Sequence, residues 1–134
     1  MIGIVIAAHG HLAEELANTA RQIVGDLPHV ATCSVEPGAS LEDIRDHIKG
    51  AVKSVDEGHG VLVLADLLGG SPCNQSLMLC AKGKLEVLTG VNLPMLLKAN
   101  SLRIAMPKLH ELAEVLAQYG QRNITLASDS VRTS

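Results

Sequence analysis

Two apolar runs end in polar residues whose types could carry group-transfer chemistry. Ile2 to Ala8 stops at His9-Gly10-His11, and Val61 to Ala65 stops at Asp66-Leu67-Leu68-Gly69-Gly70-Ser71-Pro72. An imidazole offers a nucleophilic nitrogen near neutral pH, and a carboxylate on its other ring nitrogen selects the tautomer that presents the lone pair. If the two runs are neighbouring strands, His9 and Asp66 meet. The Gly69-Gly70-Ser71 turn, opening a helix, adds free backbone amides and the positive end of the helix dipole, a receiver for a phosphoryl group or another oxyanion. His9 can then accept a group while Asp66 holds the ring, and no metal is required.

Taken singly, each piece is ordinary, since turns favour histidine, aspartate and glycine. Their convergence is what points to a site. His9 and His11 form an HxH with Asp66 nearby, but zinc wants three or four firm ligands, so neither metal nor cofactor is expected. His29, His47, His59 and His110 lack partners at ligand spacing and read as solvated. Gly69-Gly70-Ser71-Pro72 is not the GxSxG elbow of a hydrolase, which leaves a small-molecule hydrolase the weakest reading. No GxGxxG or Walker A pattern follows a strand, so the phosphate must arrive on another protein or a small carrier.

The elements that must position these residues alternate between strand and helix. Strands are predicted at Ile2 to Ala8, Val30 to Val35, Gly60 to Ala65 and Leu85 to Thr89, with a short final strand at Asn123 to Ala127. The first helix runs from Leu12 to Val24 with Leu12, Leu16, Ala20 and Ile23 on its inner face. Ser40 caps the second, with Leu41, Ile44, Ile48 and Val52 facing inward; Ser71 caps the third, with Pro72 at its first position. Further helices span Pro94 to Asn100 and Pro107 to Tyr119. Right-handed crossovers give a doubly wound α/β fold with a mainly parallel sheet of order 2-1-3-4. Its switch point lies between strands one and three, beyond whose carboxyl ends His9 and Asp66 fall.

The 134 residues suit one domain over 1–134 with a real aliphatic core and no need of disulfides. Tyr119 is the only aromatic residue among Trp, Tyr and Phe. The net charge of −3 and scattered Lys and Arg exclude a nucleic-acid surface. Cys33, Cys73 and Cys80, an odd number without CxxC spacing, read as small buried residues in a reducing compartment. Met1 leads into a strand with no basic n-region, and no apolar run is long enough to insert in a membrane, so the expected location is the cytoplasm.

Together, Ala8-His9-Gly10, the turn from Asp66 to Pro72 with Asn74, and Thr89-Gly90-Val91-Asn92-Leu93-Pro94-Met95-Leu96 resemble the mannose-family enzyme IIA domain of the bacterial phosphoenolpyruvate-dependent sugar phosphotransferase system. The blocks keep the family's order and spacing across the first three quarters of the chain. The resemblance implies that His9 is phosphorylated by the phosphocarrier HPr and passes the group to an enzyme IIB. It also implies that Asp66 orients His9, that Gly69, Gly70 and Ser71 hold the phosphoryl oxygens, and that the chain forms a homodimer. The segment Asn123 to Ala127 suits a strand exchanged between protomers. Leu12, Leu67, Leu68 and Met95 are candidates for an apolar rim on which a phosphocarrier docks. Many family members carry an aromatic residue where this chain has Leu68. No fused enzyme IIB domain is expected, so the acceptor stays open, and a regulatory sensor of phosphorylation state is the alternative. So is a dihydroxyacetone-kinase-type phosphotransfer subunit, whose turn lacks the Gly-Gly-Ser-Pro pattern.

Overall fold

Runs of Val, Ile, Leu and Ala with no polar member have no face to offer water, and they become parallel strands covered on both sides. The structure, a computed structural model, describes residues 1–132. The elements are β1 (Gly3–His9), α1 (Leu12–Val24), β2 (Val30–Val35), α2 (Leu41–Val55), β3 (Val61–Ala65), α3 (Ser71–Leu77), β4 (Leu85–Leu88), α4 (Leu93–Leu102) and α5 (Leu109–Arg122). The sheet is all parallel with order β2-β1-β3-β4, the predicted α/β topology.

Side-chain alternation splits the core between the two faces. Ile4, Ile6, Leu62 and Leu64 pack with the helical alanines Ala13, Ala17 and Ala20 and with Leu96, Leu112 and Leu116. Val5, Ala7, Val61 and Val63 pack on the other face with Ile44 and Ile48. Each fully buried Val, Leu or Ile stabilises by about 1.5–3 kcal/mol, which holds the strand ends rigidly enough to carry a site.

The inward face of α1 is as expected at Ala20 and at Leu16, which packs against the core, but not at Leu12 and Ile23. Ala13, Ala17 and Ala20 are buried, whereas Leu12 and Ile23 are 46% and 57% exposed. Small side chains let the helix axis approach the sheet closely, so the alanine stripe wins over the leucine stripe. Leu41 is likewise exposed on α2, while Ile44 and Ile48 are buried.

Ser40 caps α2 as predicted, its Oγ accepting from the Asp43 N–H at 3.0 Å. Ser71 does not cap α3: Gly70 holds that position without a side-chain bond, and Ser71 is the first helical residue. Asn92 caps α4 by accepting from the Met95 N–H at 2.9 Å, and its Nδ2 donates to Gly120 O at 3.3 Å. With Gly120 buried at that contact, α5 continues past the predicted stop at Tyr119 to Arg122.

The predicted strand at Asn123 to Ala127 is absent from the described residues. The chain leaves α5 in an irregular path, and Ala127–Val131 forms a short 3-10 turn. Ile124 and Leu126 are 80% and 68% exposed, with no core for the segment to join. In this chain alone β4 pairs with β3 on one side only, so the β propensity of Ile124, Thr125 and Leu126 goes unused. Cys33 and Cys73 are buried as expected; Cys80, in the loop after α3, is exposed.

Candidate functional site

β1 and β3 pair with Ala7 opposite Ala65, so His9 and Asp66 leave the carboxyl edge of adjacent strands together. The Asp66 N–H donates to Ala7 O at 3.3 Å, which turns the chain across the end of β1. His9 Nδ1 lies 2.7 Å from Asp66 Oδ2, and the His9 backbone N–H donates to the same oxygen at 3.0 Å. The other oxygen, Oδ1, accepts from the Leu67 N–H at 2.9 Å.

The two side chains sit in unlike surroundings. Asp66 is only 10% exposed and His9 48%, so the carboxylate is sheltered while the ring reaches solvent. Burial pushes the Asp66 carboxyl up, but the His9 main-chain and ring hydrogen bonds, the charge of His9 and the Leu67 N–H outweigh it. The net effect holds Asp66 below the ordinary carboxylate value of 3.8. An ionised Asp66 accepts the Nδ1 proton, which leaves the lone pair on Nε2. Among the described residues Nε2 has no hydrogen-bond partner.

Gly70 completes the pocket of the ring. A Cβ at this position would lie 2.7 Å from His9 Cε1, closer than a real side chain tolerates, and 3.5 Å from Nε2. Gly69 has φ +88°, a left-handed conformation that glycine adopts without strain. The side chain of Asn74 donates to Gly69 O at 3.1 Å. The sequence motif contains Gly70 and Asn74, but spacing alone reveals neither the Gly70 contact with the imidazole nor the Asn74 bond. Ser71 follows directly, half-buried at the start of α3.

Of the proposed apolar rim, Leu12, Leu67 and Leu68 are exposed, by 46%, 52% and 74%. Met95 is not: it is 3% exposed, packed in the core on the inner face of α4, and cannot serve a docking surface. A helix start read from sequence does not say which way its first turn faces.

The remaining histidines are less isolated than their spacing suggests. His29 Nε2 lies 3.2 Å from Glu57, and His59 Nδ1 lies 3.0 Å from the Met1 nitrogen. His110 sits between Glu86 at 2.8 Å and Glu114 at 2.5 Å. His11, at the start of α1, points its Nδ1 to Glu14 at 3.8 Å. No group of three or more His, Cys, Asp or Glu side chains among the described residues is arranged to hold a metal ion. No helix among them is long and apolar enough to cross a membrane.

The family model described as PTS system fructose IIA component matches residues 3–117. The mannose-specific EIIAB component of Escherichia coli (strain K12) is 34% identical over 124 residues, covering 92% of this chain and 38% of that protein. This chain thus spans little more than a third of that relative. The fructose-specific EIIA component of Bacillus subtilis (strain 168) is 28% identical over 130 residues, covering 96% of this chain and 88% of the relative. The crystal structure of phosphotransferase system component EIIA from Streptococcus agalactiae superposes with a TM-score of 0.87 at 30% identity, covering 96% of this chain and 99% of that one.

Proposed function

Since the chain belongs to the mannose- and fructose-type enzyme IIA family of the sugar phosphotransferase system, we propose that it is a phosphocarrier whose His9 accepts a phosphoryl group from HPr and passes it to an enzyme IIB. The observation that carries this reading is the His9–Asp66 pair: Nδ1 is held at 2.7 Å by a carboxylate, and the half-exposed ring leaves Nε2 open to a docking protein.

In the transfer, the Nε2 lone pair attacks phosphorus in line with the donor nitrogen. The new N–P bond forms as the bond to the donor imidazole breaks, and that electron pair returns to the donor ring. His9 keeps its Nδ1 proton, so its ring gains positive charge, which the Asp66 carboxylate balances. A loose transition state leaves little covalent work for the protein, so positioning and electrostatics supply the catalysis. The backbone of Gly69 and Gly70 and the Ser71 hydroxyl hold the phosphoryl oxygens. With only seven residues, α3 adds little dipole of its own. Leu12, Leu67 and Leu68 give both partner proteins an apolar rim, released after each transfer. The compartment in this reading is the cytoplasm, where the phosphoenolpyruvate relay runs.

We also propose that the chain pairs as a homodimer through the edge of β4. An open groove of about 880 Å³ runs along that edge, lined by Leu77, Leu85, Val87, Leu88 and Ala113 among others. The exposed apolar residues of the segment after α5 are what such a groove would cover in a second copy. Sedimentation of the whole chain against one truncated after Arg122 tests this: a dimer that becomes monomeric supports the reading, and a monomeric whole chain contradicts it.

The carrier role is tested by phosphorylating the protein with phosphoenolpyruvate, enzyme I and HPr, then adding the enzyme IIB proteins of the same organism. Loss of the phosphoryl group to one of them supports a carrier. Retention with all of them favours the regulatory sensor.

A further inference from the structure

A hydrogen bond at Nδ1 alone leaves the His9 ring free to rock about that contact, so a second element must fix where Nε2 points. The adjoining part of the ring rests on Gly70, whose hypothetical Cβ would be 2.7 Å from Cε1 and 3.5 Å from Nε2. Yet Gly70 belongs to an exposed turn with little to hold it. Its N–H reaches Leu67 O only at 3.5 Å, and Leu67, Leu68 and Gly69 are all exposed. A turn with so few buried contacts samples other shapes unless something closes it.

Asn74 closes it with two bonds from one residue. Its Nδ2 donates to Gly69 O at 3.1 Å, and its main-chain N–H donates to Gly70 O at 2.9 Å. Both glycine carbonyls are drawn toward α3. Because a trans peptide sets C=O and N–H on opposite sides, the N–H groups of Gly70 and Ser71 are directed away from Asn74. The main-chain bond forms with any residue at 74; the bond to Gly69 O requires a donor at the length of an asparagine amide.

Resting on the phosphocarrier reading, we propose that Asn74 is a positioning residue for phosphoryl transfer. Its amide locks the Gly69-Gly70 turn against His9, so that Asp66 holds Nδ1, Gly70 bounds the ring at Cε1, and Nε2 faces outward. Asn74 acts through Gly70 and touches neither partner protein nor the transferred group.

The test compares Asn74→Ala, Gly70→Ala and the double variant in phosphoryl transfer from HPr, with a separate NMR measurement. Asn74→Ala is expected to lower the maximal rate about tenfold, since sub-ångström misplacement is costly in a positioned reaction. The half-saturating HPr concentration stays unchanged, and the melting temperature falls by no more than about 5 °C. The double variant is no slower than Gly70→Ala, because Asn74 has nothing left to hold. An unchanged maximal rate, a raised half-saturating concentration, or multiplying effects in the double variant would each overturn the proposal. The nuclear Overhauser contact between His9 Cε1–H and Gly70 Hα needs no phosphotransfer. It is expected in the wild type and weakened in Asn74→Ala. If the wild type takes no phosphoryl group the carrier reading fails, and full persistence of this contact in the variant separately refutes the positioning role.

Discussion

A single oxygen of Asp66 holds His9 twice: Oδ2 is 2.7 Å from the ring Nδ1 and 3.0 Å from the backbone nitrogen of the same residue. Ring orientation and strand end are therefore set by one carboxylate. Asp66→Asn keeps the shape but offers an amide that can donate to Nδ1 and draw the proton to Nε2, the wrong tautomer for attack. Transfer from HPr is expected to slow by about a hundredfold or more, and equal rates would remove the orienting role.

The depressed carboxyl of Asp66 sets a pH dependence whose sign is fixed. A group held below its unfolded value of 3.8 stabilises the fold above that pH and loses the contribution as pH falls through the native value. The melting-temperature difference between wild type and Asp66→Asn should be steady near neutrality and shrink only under acid. A difference that instead grows on acidification contradicts the assignment.

His110 behaves in the opposite sense. The hydrogen bond His110 donates to Glu86, then the charges of Glu86 and Glu114, raise its imidazole above the ordinary 6.5. Its stabilisation is present below 6.5 and is lost as pH rises through the raised native value. Exposed pairs contribute little, so His110→Ala is expected to lower the melting temperature by a few degrees at mildly acidic pH and by nothing at alkaline pH. Melting curves across that range check it.

Gly70→Ala is a change of one methyl group placed against the acceptor ring, at 2.7 Å from Cε1. The half-exposed imidazole can swing aside, so folding survives while Nε2 is displaced. A loss of about a hundredfold in transfer, with little change in melting temperature, is expected; a fully active variant would mean the ring does not rest on Gly70.

Arg103 is fully buried at the opposite end of β1, and nothing in the sequence distinguishes it from the other basic residues. Its guanidinium donates to the carbonyls of Ile2 (2.9 Å), His29 (3.3 Å) and Pro28 (2.7 Å) and to Asn100 Oδ1 (2.9 Å). Burial pushes its pKa down to about 10, which leaves it charged at neutral pH. Arg103→Met strands those acceptors and should cost about 3 kcal/mol in urea unfolding. Transfer at a temperature where the variant stays folded should be unaffected, since the site lies at the other edge of the sheet.

The sheet order and the meeting of His9 with Asp66 follow from apolar runs, turn residues and the handedness of crossovers, which are local or topological facts. The burial of Met95, the capping of α3 and the inner face of α1 do not, because each depends on how closely two elements approach. Alanines at 13, 17 and 20 bring α1 onto the sheet, and a pattern of large apolar residues points to the wrong stripe. The segment from Asn123 to Ala127 has strand-forming residues, but a strand needs an edge to pair with, and within one chain the segment leaves the free edge of β4 unpaired.

The most direct test of the account is the intact mass of wild type and His9→Ala after incubation with phosphoenolpyruvate, enzyme I and HPr. The account predicts that wild type gains one acid-labile phosphoryl group and His9→Ala gains none while remaining folded. A phosphoryl group on the His9→Ala protein, or none on either protein, would contradict it.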